Sequence, residues 1–290
     1  MPRTNRREFI RRSLAVGSAA ALQVHAWPAQ VRRANDVLEI GPTKVRVSRL
    51  ALGSGTFGGG RSSNQMRKLG ADGLADVWWE AFDNGVFFWD TADTYGSHAA
   101  VKAALNTKRM PREKVTILTK TSARDGADMK ASLDRYLQEM GTDYIDIVLL
   151  HSRMSPKWDE LDRSVMEVLS EAKLARKVRT VGISCHSVEA MKLAAKSPWL
   201  DVCLCRINPA GVRMDAPTEQ VLPLMADLKA AGKGVLGMKI LGEGQLRDRV
   251  DEALRYAVTK DAVHAFSIGV ESRDELKDLL ARIPKVSQPA

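Results

Sequence analysis

The chain has 290 residues, of which 44% are hydrophobic and 27% charged, and a net charge of +9. Its length and apolar share suit one large α/β domain with a substantial core. Residues 1–26 hold five arginines and one glutamate, leaving +5 to the rest. Without basic clusters interleaved with aromatics, that surplus excludes nucleic acid as a partner and suits an anionic, phosphate-bearing cofactor.

Residues 5–11 read NRREFIR and precede an apolar, Ala-rich run over 14–24. Arg6-Arg7 followed by Phe9 and Ile10 is the twin-arginine export pattern. The run is too short for a membrane span, and a cleavage site fits after Ala26. The expectation is a signal peptide over 1–26 carried by the twin-arginine translocase, a linker over 27–36, one barrel domain over 37–285 and a tail over 286–290. A protein exported by that route reaches the periplasm already folded, with a cofactor in place.

Residues 38–50 (LEIGPTKVRVSRL) read as a β-hairpin turning at Gly41-Pro42. The first barrel strand starts at 50–52 and runs into Gly53-Ser54-Gly55-Thr56-Phe57-Gly58, a formal GxGxxG. In a Rossmann unit that motif must itself open a helix. Here GGRSSNQ continues as loop, so the glycines are read as allowing close backbone approach. Leu74, Val77, Trp78, Ala81 and Phe82 then make one helical face. Strand patterns follow at 86–90, 115–120 and 145–151, with a short helix over 101–105 and an apolar stripe of Met129, Leu133, Tyr136, Leu137 and Met140. Leu161, Val165, Val168 and Leu169 precede a strand at 180–184, and further strands read at 202–207, 234–238 and 265–268. Eight strand–helix repeats with right-handed crossovers predict a (β/α)8 TIM barrel behind an N-terminal β-hairpin.

Three of these strands end in chemistry. Asp90, Lys120 and His151 close the runs VFFWD, VTILTK and IDIVLLH, and Tyr95 follows in the loop after Asp90. A carboxylate at the end of a buried strand is costly unless it is paired, and Lys120 is the partner at hand. Polar residues at the C-terminal ends of parallel strands are where barrels place catalysis. Cys203 and Cys205 share one strand face, with Cys185 and His186 on the strand before. The CxxC spacing of zinc sites is absent, so the thiols are read as small buried hydrophobes and no metal is expected.

Asp90, Tyr95, Lys120 and His151, within WDTADTYG, LTK and LLHS, resemble the catalytic tetrad of the aldo-keto reductases, and the resemblance continues through KVRTVGIS. It implies hydride transfer between a nicotinamide and a small carbonyl or alcohol, with Tyr95 as general acid, Lys120 and Asp90 tuning it, and His151 orienting the carbonyl. It also implies nucleotide contacts from Gly55, Thr56, Asp90, Ser184, Cys185, Leu204, Met238, Lys239, Leu241 and Arg273. Cys185 stands in the family's asparagine position, Leu204 where a glutamine is expected and Met238 where a tyrosine stacks on the ring. The phrase VLGMKILGEG resembles a divergent bacterial branch of that family. NADP(H) is expected ahead of NAD(H), although Glu271 sits where a basic residue often meets the adenosine phosphate. The rival readings are a catalytically weak nucleotide-binding or redox-sensing barrel and a metal-assisted hydrolase.

Overall fold

Gly41, at a φ of +66°, turns the chain between β1 (Val37–Ile40) and β2 (Val45–Ser48), which pair antiparallel as the expected hairpin. The computed structural model describes residues 31–106 and 110–288. The expected leader over 1–26 therefore lies outside the described residues, as does the end of the expected tail. Eight parallel strands follow: β3 (Leu50–Gly53), β4 (Phe88–Asp90), β5 (Thr116–Thr121), β6 (Ile145–Arg153), β7 (Val178–Cys185), β8 (Val202–Arg206), β9 (Gly234–Met238) and β10 (Ala265–Gly269). They close into a barrel, with β10 pairing back onto β3. The predicted (β/α)8 architecture is the observed one.

The helices outside the ring are α1 (Asn64–Asp83), α2 (His98–Leu105), α3 (Gly126–Met140), α4 (Trp158–Leu161), α5 (Arg163–Leu174), α6 (Val188–Lys196), α7 (Thr218–Ala230), α8 (Val250–Thr259) and α9 (Arg273–Val286). Several start at a polar cap supplied by the preceding loop. Ser63, Asp125, Ser187 and Ser272 each accept a backbone N–H from the first turn of α1, α3, α6 and α9, which offsets donors that have no partner inside the helix. Because Ser63 is such a cap, Asn64 and Gln65 open α1, and the loop expected over GGRSSNQ ends two residues early. Leu161 also departs from its expected stripe: it ends the short α4 and is 68% exposed.

Strand parity sorts the core into two layers. Phe88, Leu118, Leu149, Leu204 and Leu236 point into the barrel and pack with Ile40, Val45 and Val47 of the hairpin, which seals the N-terminal end. The alternate residues, such as Trp89, Val148 and Ile183, face the helices. There Trp78 of α1 stacks on Trp89 with ring centres 4.7 Å apart. Each such fully buried large side chain contributes about 1.5–3 kcal/mol of hydrophobic stabilisation. The barrel interior is thus filled by apolar side chains, and the polar residues that end the strands gather at its C-terminal mouth.

Candidate active site

The same parity decides what reaches that end. Two residues beyond the inward Phe88, Leu118 and Leu149 come Asp90, Lys120 and His151. The same step brings Ser184, Arg206, Met238 and Ser267 to the mouth on β7, β8, β9 and β10. A register irregularity in β6 between Leu150 and Arg153, with Ser152 at a φ of +57°, bends the chain where His151 projects.

Lys120 forms an ion pair with Asp90 and donates to the Thr91 carbonyl at 2.8 Å. The second Asp90 oxygen accepts from Ser267 Oγ at 2.7 Å, so the buried carboxylate is satisfied on both sides. Removing one member of such a buried pair leaves an uncompensated charge and costs about 3–5 kcal/mol. Burial works against the Lys120 ammonium, but Asp90 and Tyr95 outweigh it and its pKa is raised. Its Nζ lies 4.9 Å from the centre of the Tyr95 ring. The Tyr95 hydroxyl is 3.5 Å from His151 Nε2, with the two rings edge to face. Burial raises the Tyr95 phenol, against the pull of Lys120. Burial, and then Lys120 and other cations of the mouth, push His151 down to about 3. At neutral pH the site therefore presents a protonated phenol beside a neutral imidazole.

Tyr95 rides on a single helical turn, Asp93–Tyr95, that is fixed by charge. Asp93 takes a two-pronged contact from Arg135 at 2.7 and 2.9 Å and a third from Arg61 at 2.8 Å. Both arginines also reach Glu139, which pairs with His98 Nδ1 at 2.8 Å, and His98 Nε2 meets Thr119 Oγ1 of β5 at 2.8 Å. Asp93, His98 and Glu139 come close enough together to suggest a metal. Both carboxylates are instead engaged by guanidinium groups, so the cluster is a clamp on the tyrosine turn.

A cleft of about 350 Å³ runs from Tyr95 towards Glu271. Of the residues expected at the nucleotide, Gly55, Thr56, Asp90, Met238, Lys239 and Leu241 line it. Four do not line it. Cys185 turns outward into the helix-facing layer and touches Cys203 Sγ at 3.5 Å. Leu204 lies one layer beneath the mouth, and the residue of β8 at the top is Arg206. Arg273 is drawn to α1, with Asp76 at 3.0 Å and Glu80 at 3.5 Å. Ser184 sits at the mouth but bonds His186 Nε2 at 3.2 Å. Arg206 holds His186 Nδ1 and donates to Asp215 at 3.0 Å. Ser267, Arg206 and Glu243 are site residues that the sequence reading passed over. Counting twos from the inward apolar residues finds the first two of them.

A model of the aldo/keto reductase family matches residues 49–256, from the first barrel strand to the last helix but one. The chain belongs to the aldo/keto reductase family. Among curated relatives, the NADH-specific methylglyoxal reductase of Escherichia coli is 28% identical over 64% of this chain and 68% of its own. The L-galactose dehydrogenase of Arabidopsis thaliana is 24% identical over 72% and 66%. The matches thus span about two thirds of each relative's length. A Pseudomonas aeruginosa structure assigned to the aldo-keto reductases superposes with a TM-score of 0.71 at 25% identity, over 88% of this chain and 97% of that one. This aldo/keto reductase is an oxidoreductase by family, and its barrel is the family's barrel.

Proposed function

We propose that the chain is an exported aldo-keto reductase that reduces a small aldehyde or ketone with NADH, or runs the reverse oxidation. The observation that carries this reading is the Tyr95 hydroxyl set between Lys120 and His151 at the open C-terminal end of the barrel. A nicotinamide held along the cleft by Gly55, Thr56, Met238 and Leu241 would supply the hydride. Tyr95 gives its proton to the carbonyl oxygen as negative charge develops there, and Lys120 stabilises the phenolate left behind. Asp90 keeps the ammonium in place and His151 donates a hydrogen bond that orients the carbonyl. The protonated phenol is the form that can donate in the reductive direction.

The cleft's residues suit a nicotinamide nucleotide unequally along its length. Met238, Ile240 and Leu241 give an apolar wall beside Tyr95, and Gly55 and Thr56 the facing loop. At the far end the lining carries the carboxylates of Glu271 and Glu275. Glu271 accepts from Asn64 Nδ2 at 2.9 Å and pairs with Lys68, and Glu275 accepts the Glu271 backbone N–H at 2.7 Å. Carboxylates accept from a ribose hydroxyl and repel a 2′-phosphate. With Arg273 engaged elsewhere, the proposal moves from NADP(H) to NAD(H), in keeping with the NADH-specific relative.

The test is to purify the protein, record nicotinamide absorbance and fluorescence on adding NADH, and screen small aldehydes, methylglyoxal included. Tyr95→Phe should keep nucleotide binding and folding while carbonyl reduction falls by on the order of 10² or more. Turnover at the wild-type rate by that variant removes Tyr95 as the acid. The rival, a catalytically weak nucleotide-binding or redox-sensing barrel, is favoured by Met238 at the ring-stacking position; NADH binding without turnover of any aldehyde would select it. Export rests on Arg6-Arg7: replacing both with lysine should hold the protein in the cytoplasm, and normal periplasmic accumulation would refute the route.

A further inference from the structure

The end of the barrel opposite the catalytic mouth carries a groove of about 1120 Å³. It is bounded by the β1–β2 turn, the start of β5 and the start of β7, so it lies at the N-terminal ends of the strands. Six cations line it (Lys44, Arg46, Lys114, Lys173, Arg176 and Arg179) against two carboxylates, Glu113 and Asp146. That surplus of four compares with +5 for the whole chain beyond its first 30 residues.

The pairing is as uneven as the count. At the catalytic mouth the cations are matched: Lys120 with Asp90, Arg206 with Asp215, Lys239 and Arg213 with Glu243, Lys68 with Glu271. In the groove, Lys173 goes to Asp201 and Arg179 to Asp146. Among the described residues, Lys44, Arg46, Lys114 and Arg176 form no ion pair and are exposed. Like charges left unpaired around one concavity raise the local potential and attract anions. Between them lies an apolar floor of half-buried Phe82 and Phe87 with buried Val115 and Val178. Arg112 and Arg179 sit 3.9 and 4.0 Å from the centre of the Tyr144 ring, so that aromatic face is occupied and not offered to a stacking base.

We propose that this groove binds a compact anion bearing two or more phosphate groups, recognised by charge. Arg46 and Arg176 would take phosphate oxygens in forked contacts, and Lys44 and Lys114 add point charge. A soluble phosphorylated solute and a phospholipid headgroup share this chemistry. The site is independent of the catalytic reading, since none of these residues lies at the mouth.

The test titrates inorganic tripolyphosphate into the full chain by calorimetry, at low and high salt, and into Arg46→Glu/Arg176→Glu. Binding should weaken roughly tenfold or more in the double variant, and should weaken with salt as exposed charges are screened. Melting followed by circular dichroism checks that the variant folds; if it does not, Lys44→Gln/Lys114→Gln replaces it. Sedimentation with phosphatidylcholine vesicles doped with cardiolipin, whose headgroup carries two phosphates, identifies a headgroup as the source, and tripolyphosphate binding without vesicle binding identifies a soluble one. Absence of both overturns the proposal. So does binding that charge reversal leaves unchanged, which would move it to the arginines of the first 30 residues.

Discussion

The Tyr95 ring rests directly on the backbone of Gly55. A methyl group added at Gly55 would lie 2.3 Å from ring carbon Cε2, and one at Gly58 2.5 Å from Cδ1. This gives the GxGxxG-like stretch its physical reason: the two glycines are a bed for the ring, and no phosphate cradle at a helix start is involved. Gly55→Ala must displace the ring or the loop. We expect activity to fall by about 10²-fold, since a shift near 1 Å at the reacting group has that effect, while the melting temperature changes little because the loop lies outside the barrel core. Equal losses of activity and melting temperature would mean that the glycine serves folding.

The clamp on Asp93 makes a separate prediction. Arg135→Ala leaves Asp93 with Arg61 alone, so the Tyr95 turn loosens without any loss at the nucleotide cleft. Reduction should slow by roughly tenfold or more in kcat, with NADH affinity unchanged. Arg135→Lys should not rescue it, because an ammonium cannot reproduce the forked contact. Full rescue by lysine would show that charge alone suffices.

Two half-buried imidazoles predict the acid side of the stability profile. Burial and neighbouring cations push both His151 and His186 down to about 3, from an ordinary value of 6.5. The unfolded chain therefore binds protons that the folded one refuses. Stability should be fully present above pH 6.5 and fall as pH drops through the window to about 3. Thermal melts across that range should flatten in His186→Gln. An unchanged acid slope in that variant would assign the decline to other groups, the lowered Glu139 carboxyl beside His98 foremost.

The proposed preference for NADH makes a prediction at Glu271. Glu271→Arg removes a negative charge from the far end of the cleft and adds a positive one, so preference should swing towards NADPH by roughly tenfold or more, one decade being 1.4 kcal/mol. Arg273→Ala should do little, because its guanidinium is held by Asp76 and Glu80. Titrating both nucleotides against both variants checks this, and selective loss of NADPH in Arg273→Ala would reverse the assignment.

The barrel is legible in the sequence because each buried strand is an apolar run broken by glycine or polar loop, and the tetrad because Asp90, Lys120 and His151 are abrupt polar stops on such runs. Leu204 illustrates the limit. The run over 202–207 contains Arg206 inside an apolar context, and only the parity of β8 tells which residue crowns the barrel. Cys185 is displaced by the same count, one step out of phase with Ser184. Arg273 could not be placed from its own neighbourhood, since Asp76 and Glu80 lie almost 200 positions earlier and meet it only through the closure of β10 on β3. The Arg61–Asp93–Arg135 clamp is likewise assembled from three separate segments.

One contact described by no motif joins the two ends of the described residues. The Arg32 backbone N–H donates to Ser287 Oγ, and the same hydroxyl lies 3.0 Å from the Arg32 carbonyl. The ring of strands is thus matched by a ring of covalent chain that lacks a single short link. The order of segments within residues 31–288 is then separable from the barrel's architecture. A circular permutant of residues 31–288, joined by a few glycines and reopened between α7 and β9 at Gly232, would keep every strand neighbour, and its folding would need no contact that the natural order lacks.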